Sequence, residues 1–289
     1  RSGETNGYLL VKMGASRGHY DPDEGSILWY AWGKPVLADF GCQYNPNIEC
    51  AWLHNRISFD HWNEAGGRAF DARVSDIGPF ATMISGSMRV TQLHRWADRP
   101  IRAADFDFRS LPDPHAIPPV TWRREVLYIR ACEAVLIRDQ IDGDHPTDWN
   151  LQVFADAIEV KGNHAACRGQ FGVDLDVYMG QPEEVAWSIG SFEHIGFDEP
   201  RLPAPWWRGA AWTAPEGAIY GPVGERALSL HLPSARRSEY VALLIARPQA
   251  CRPPTVKPFR DGFSWQTPRA SWRAVLTDGS WQIHASQTT

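Results

Sequence analysis

The sequence predicts an all-β protein: antiparallel strands stacked as a multi-stranded β-sandwich, a super-sandwich, with a smaller C-terminal β unit. Three observations carry this expectation. Short apolar or alternating runs recur along the whole chain, while helical periodicity is scarce. Turn-forming residues punctuate these runs at close spacing, with 24 glycines and 22 prolines among 289 residues. Tryptophan is abundant at 14 residues, a payload that suits the space between two packed sheets.

Taken in order, Tyr8 to Met13 reads as the first strand. Ser26 to Trp32, apolar and aromatic, is the second, and Val36 to Phe40 the third, so the two form a hairpin with its loop at Gly33 to Pro35. Further strands are expected at Arg56 to Phe59, Ala81 to Leu93, Arg124 to Arg130, Ala134 to Ile141, Asn150 to Val160 and Val173 to Met179. The C-terminal set is Ala227 to Leu232, Tyr240 to Ala246, Ser271 to Leu276 and, after the Asp278-Gly279 turn signal, Ser280 to Ala285. Glu199 to Trp207 is Pro-rich and reads as irregular. We therefore place a main sandwich with the functional site at 1–198, and at 199–289 a region that completes it or forms a small second β domain. Most tryptophans read as core, and Trp206-Trp207 as a surface platform on which a sugar face could stack.

A chain of this length buries roughly three quarters of the surface its unfolded form exposes, so stability requires no staple. The formal net charge of −5 argues against a nucleic-acid partner. It leaves room for an anionic substrate at a local basic patch, for which Arg123 with Arg124, and His94, Arg95 and Arg99, are candidates against the plainer reading of solvated strand ends. The five cysteines include no CxxC pair, which excludes a thiolate zinc knuckle. No apolar run is long enough to span a membrane, and no signal peptide is visible.

The chemistry concentrates between Arg17 and Phe59. Gly18-His19-Tyr20-Asp21-Pro22-Asp23-Glu24-Gly25 precedes the hairpin, Asp39-Phe40-Gly41 ends it, and His54-Asn55 opens the next strand. Asp39, at the end of an apolar strand, would be costly to bury without a partner. Imidazole and carboxylate are both zinc donors, so His19, Asp21, Asp39 and His54 could meet at one ion, against the plainer reading of loop residues with unrelated partners. An EF-hand is excluded: the glycine comes one position early, and the twelfth position is Trp32 rather than Glu.

This stretch resembles the C-terminal β domain of the heparinase II/III-like polysaccharide lyases. Their pattern runs His-x-His-x-Asp, a strand hairpin with a Gly-led turn, Asp-x-Gly, a loop and His-Asn. Here it is matched by His19 to Asp23 with Gly25, Asp39-Phe40-Gly41 and His54-Asn55. Arg138 to Gly143 resembles part of the second half of that domain. The resemblance implies that His19 is catalytic, near the uronic-acid carboxylate, and that Asp39 and His54 are zinc ligands. The family's second histidine is replaced here by Asp21, still a zinc donor, although added oxygen favours Mn²⁺ or Ca²⁺. Asp23 is then a supporting carboxylate, and Tyr44 lies where family members contact sugar.

The implied activity is β-elimination on a uronic-acid polysaccharide of heparan, alginate or chondroitin type, met in a periplasm or outside the cell. The general acid/base tyrosine of the family lies on an N-terminal α/α-toroid. This chain reaches His19 too soon to contain that domain, and is expected to be a fragment of a longer product, inactive alone. A uronyl C5-epimerase domain and a non-catalytic carbohydrate-binding sandwich remain alternatives; a metallohydrolase is disfavoured by the lack of HExxH.

Overall fold

A computed structural model of the chain describes residues 7–14, 22–37, 39, 51–65, 70–94, 114–191, 227–268 and 270–287. Among these residues the regular structure is β, apart from single 3-10 turns such as Ala51–Leu53, and no helix is long and apolar enough to cross a membrane. The strands of the first half are β1 (Tyr8–Val11), β2 (Ile27–Ala31), β3 (Lys34–Leu37), β4 (Ile57–Ser58), β5 (Asn63–Glu64), β6 (Arg73–Ile77), β7 (Ala81–His94), β8 (His115–Ile129) and β9 (Ala134–Asp142). There follow β10 (Thr147–Lys161), β11 (His164–Gly169), β12 (Val173–Gln181), β13 (Ser188–Ser191), β14 (Ala227–Ala235) and β15 (Glu239–Pro248). The last four are β16 (Thr255–Phe259), β17 (Gly262–Gln266), β18 (Ala270–Thr277) and β19 (Ser280–Gln287).

Fifteen strands make one curled sheet in the order β1-β2-β3-β10-β11-β12-β15-β9-β8-β7-β5, with β4 and β14 also pairing β10, β13 pairing β14, and β6 pairing β7. The remaining four form a meander, β16-β17-β18-β19. The registered strand pairs are antiparallel, as the sequence led us to expect. The division expected near residue 198, and the Trp206-Trp207 platform, lie outside the described residues.

The central strands are buried on both faces, which explains their unbroken apolar runs. Val135 and Ile137 of β9 and Ala242 and Leu244 of β15 point into the main core with Trp29, Trp122 and Trp149. Their neighbours Leu136, Leu243 and Ile245 point the other way, against Phe263, Trp265, Trp272 and Trp281 of the four-stranded sheet. Alternation along one strand thus feeds two cores.

Two local expectations are corrected. The β2–β3 hairpin turns at Trp32-Gly33, both at left-handed φ (55° and 72°), so Lys34 and Pro35 belong to the strand rather than the loop. This two-residue turn matches the twist of the flanking strands, and Pro35 pairs Tyr30 beside a bulge. Strand β8 begins nine residues earlier than the expected Arg124, because Pro118-Pro119 does not break it. The prolines lie where the β7–β8 register shifts between Val90 and Gln92, a bulge that spares the ladder their missing N–H groups.

Candidate functional site

The end of the 17–59 motif region closest to β2 and β3 is described, and its geometry is specific. Asp39 and His54 meet: His54 Nδ1 lies 3.2 Å from Asp39 Oδ2. The same oxygen accepts a 3.0 Å hydrogen bond from Ser26 Oγ. Ser26 Oγ in turn accepts from the Asn55 backbone N–H, and Asn55 Nδ2 donates to Ile27 O at 2.7 Å. The asparagine of the His-Asn pair thereby clamps β2 to the segment that carries His54. His54 is wholly buried and the Asp39 side chain is 19% exposed, so the pair stands at the lip of the core rather than in a loose loop. His19, Asp21 and Tyr44 lie outside the described residues.

An extensive buried charge network lies beneath this lip. Arg56 makes a forked contact with Glu64, Nη1–Oε1 2.7 Å and Nη2–Oε2 2.6 Å, and Nη1 also donates to Pro22 O. Arg124 reaches from β8 to donate to Gly25 O and Asn55 O, and pairs Asp139 of β9 at 3.1 Å. Trp122 Nε1 donates to the same carboxylate, and its ring lies under the Arg56 guanidinium at 4.8 Å. All four charged side chains are fully buried. Burial lowers the Arg124 pKa and raises that of Asp139, each opposed by its partner. A buried charge survives only when paired and hydrogen-bonded. What this network secures is backbone: the carbonyls of Pro22 and Gly25, and of Asn55, next to His54.

Gly25 fits this arrangement for two reasons. Its φ is +81°, and a Cβ there would stand 2.7 Å from the Trp122 ring. Glu24, also wholly buried, takes Lys12 Nζ at 2.7 Å and the Gly14 N–H at 3.0 Å, which ties the loop end to β1.

Sequence reasoning found Asp39 and His54 but missed Ser26, Arg56, Glu64 and Asp139 as their supports. It weighed Arg123 with Arg124 as a basic patch against solvated strand ends; both readings expose Arg124, and the structure corrects this, because Arg123 is exposed whereas Arg124 is wholly buried. Strand alternation was the available signal: on β8, position 124 shares parity with the core residues Trp122 and Val126. His94 is partly buried, and Arg95 and Arg99 lie outside the described residues.

As donors, Asp39 and His54 suit a divalent ion: one carboxylate and one imidazole converge, and Ser26 holds the same carboxylate oxygen. The third donor of the expected set, Asp21, precedes the anchored Pro22.

No protein-family model and no curated protein matches the chain. Solved structures do. A mutant of the heparan sulfate lyase HepC from Pedobacter heparinus matches 96% of this chain with a TM-score of 0.56 at 11% identity. A heparinase III gene product matches 97% with a TM-score of 0.54 at 12% identity, and a further heparinase III structure 98% with a TM-score of 0.52 at 10%. At these identities the likeness is one of fold, and in fold the resemblance read from the sequence is borne out. The chain spans about two fifths of those proteins, 39% to 40% of their length.

Proposed function

Starting from the heparinase III fold, we propose that this chain is the β half of a polysaccharide lyase that cleaves a uronic-acid-containing polymer by β-elimination. The observation that carries the reading is the Asp39–His54 contact at the lip of the sheet. These two residues come from the motif that suggested the family, and they meet in a fold that lyases share.

In this reading Asp21, Asp39 and His54 hold a divalent ion, zinc or else Mn²⁺ or Ca²⁺. The ion, when bound, supplies a structural pin for the loops around it. His19 precedes Pro22 and Gly25 in sequence, and Arg56 and Arg124 grip the carbonyls of those two residues. The C5 proton of a uronate is weakly acidic until the carboxylate charge is masked, so the site needs a donor preset for the enolate-like charge. His19 takes that role, or that of base, since imidazole titrates near neutrality. Displacement of such a group by 1 Å can cost on the order of 100-fold in rate, which gives the buried network its purpose. Tyr44 contacts the sugar. The general acid/base tyrosine and part of the groove belong, in this reading, to an α/α-toroid domain, without which the β half is inactive. The substrate places the protein in a periplasm or outside the cell.

The test has two parts. Elemental mass spectrometry of the purified chain and of Asp39→Ala should find about one metal ion per chain, lost in the variant. The full product of the gene that encodes this chain should then release unsaturated sugar from heparan sulfate, alginate or chondroitin, read by ultraviolet absorbance. Exchange of the C5 proton without a double bond would make it an epimerase domain; sugar binding with neither would make it a binding sandwich.

A further inference from the structure

A second polar cluster gathers around Trp52, two residues before His54, and the metal reading does not use it. After β4 the chain reverses through Asp60-His61, two non-glycine residues in left-handed backbone (φ 57° and 62°), closed by the Phe59–Trp62 bridge. Such conformations persist in non-glycine residues only where the surroundings enforce them. Here Asp148 of β10 does so. Its Oδ2 accepts the His61 backbone N–H at 2.7 Å and Ser58 Oγ at 3.0 Å. Its Oδ1 is buried without a hydrogen-bond partner and faces His61 Nε2 at 3.5 Å. The carboxylate is wholly buried whereas the imidazole is 48% exposed, so a buried charge supports a ring presented to solvent.

The Trp52 ring lies against His61 edge to face, centroids 6.4 Å apart. Its carbonyl is held by Gln152 Nε2 at 3.1 Å, and Trp52 stands two residues before His54. His231 of β14 completes the cluster: it pairs Asn150 across the ladder, two positions along β10 from Asp148. Its pKa is lowered by burial and then by the charge of His61. Among the described residues the charged or titratable groups at this corner are Asp60 and His61 from the turn, Asp148 from β10, His231 from β14 and Tyr240 of β15, whose hydroxyl bonds Thr147.

We propose that His61, His231 and the Trp52 ring form a sugar subsite beside the Asp39–His54 centre, which takes one acidic pyranose unit of the polymer. Two imidazoles offer hydrogen bonds to its carboxylate and hydroxyls, and the indole offers an apolar face to its ring C–H groups. Asp148 is a positioning residue: it fixes the strained turn and so the aim of His61. The inference rests on the uronate-polymer reading of the neighbouring centre.

The experiment is an NMR titration of the 289-residue chain with sodium glucuronate, following the histidine ring signals, with glucose and sodium sulfate as controls. Saturable shifts of His61 and His231 are expected with glucuronate, weaker with either control. His61→Gln and His231→Gln should each weaken binding by about 10-fold, the loss of one charge-assisted hydrogen bond. Asp148→Asn keeps an acceptor for Ser58 and the His61 N–H but replaces the Oδ1 that faces His61 Nε2, so the ring loses its aim and binding should weaken similarly; a purely structural role would lower Tm and leave affinity unchanged. Unmoved rings, equal binding by the His61→Gln/His231→Gln double variant, or equal response to sulfate or glucose would overturn the subsite. In the full gene product these variants should raise KM and leave kcat within about twofold. Glucuronate binding here without any unsaturated product would leave the subsite standing and remove the lyase. Product formation with unchanged KM in both variants would do the reverse.

Discussion

Both covered faces of the large sheet are built on apolar clusters, but they differ in the charge they bury. Toward the Asp39–His54 lip, Arg56, Glu64, Arg124 and Asp139 are packed around Trp122 with no exposure at all. Toward the four-stranded sheet the junction is mainly apolar, Phe263, Trp265 and Trp272 lying on Leu136, Leu243 and Ile245, with one hydrogen bond across it from Trp281 Nε1 to Glu125. The apolar junction is the efficient way to hold two layers together, since buried ion pairs contribute little net stability. The polar end keeps its charges because they grip particular carbonyls, those of Pro22, Gly25 and Asn55. Packing fixes layers, whereas hydrogen bonds to backbone fix loops.

Breaking each side should separate these roles. The largest effect is expected from Arg124→Met, which strands Asp139 in the core: a loss of about 3–5 kcal/mol in urea unfolding, together with loss of bound metal. Trp265→Ala should cost a similar amount, about 3–5 kcal/mol for a large buried ring, yet leave metal content unchanged. Equal metal loss in the two variants would erase the distinction. Ser26→Ala removes the hydroxyl that links Asp39 to Asn55. It should cost about 1–2 kcal/mol and weaken metal binding about 10- to 100-fold, measured by competition with a chelating dye. The smallest effect concerns pH. Burial raises the carboxyl pKa of both Asp139 and Asp148. A group raised in the folded state adds stability below its unfolded value and loses it as pH climbs through the folded value. Unfolding free energy should therefore decline above about pH 4, the ordinary carboxylate value. The decline should be shallower in Asp148→Asn, and an identical slope would exclude Asp148 as a source.

Much of the fold was legible because its strands obey simple patterning. The runs at Ala134 to Ile141 and Tyr240 to Ala246 read as strands and are the centre of the sheet, as β9 and β15. The Asp278-Gly279 turn was equally plain, both residues at positive φ. Strands β5, β6, β11, β13, β16 and β17 were not foreseen. Four of the five residues of β6 are exposed and β16 is largely so, and without a buried face a strand leaves no apolar alternation to find. At the site, Asp39 and His54 were legible as a motif, but their supports were not. Arg56 and Glu64 are near in sequence, whereas Arg124 and Asp139 come from strands far along the chain. A charged residue in a strand gives no local sign that it will be buried by a partner brought in through tertiary pairing.

The double-faced burial of β8, β9 and β15 also sets where this protein can be cut. A chain ended at Pro248 would retain the large sheet yet uncover a contiguous apolar stripe at Leu127, Leu136, Leu243 and Ile245. Such a surface invites association between copies. The C-terminal meander is thus the solubilising cover of the sheet as well as a layer of it, and expression of any shortened form should carry it through Gln287.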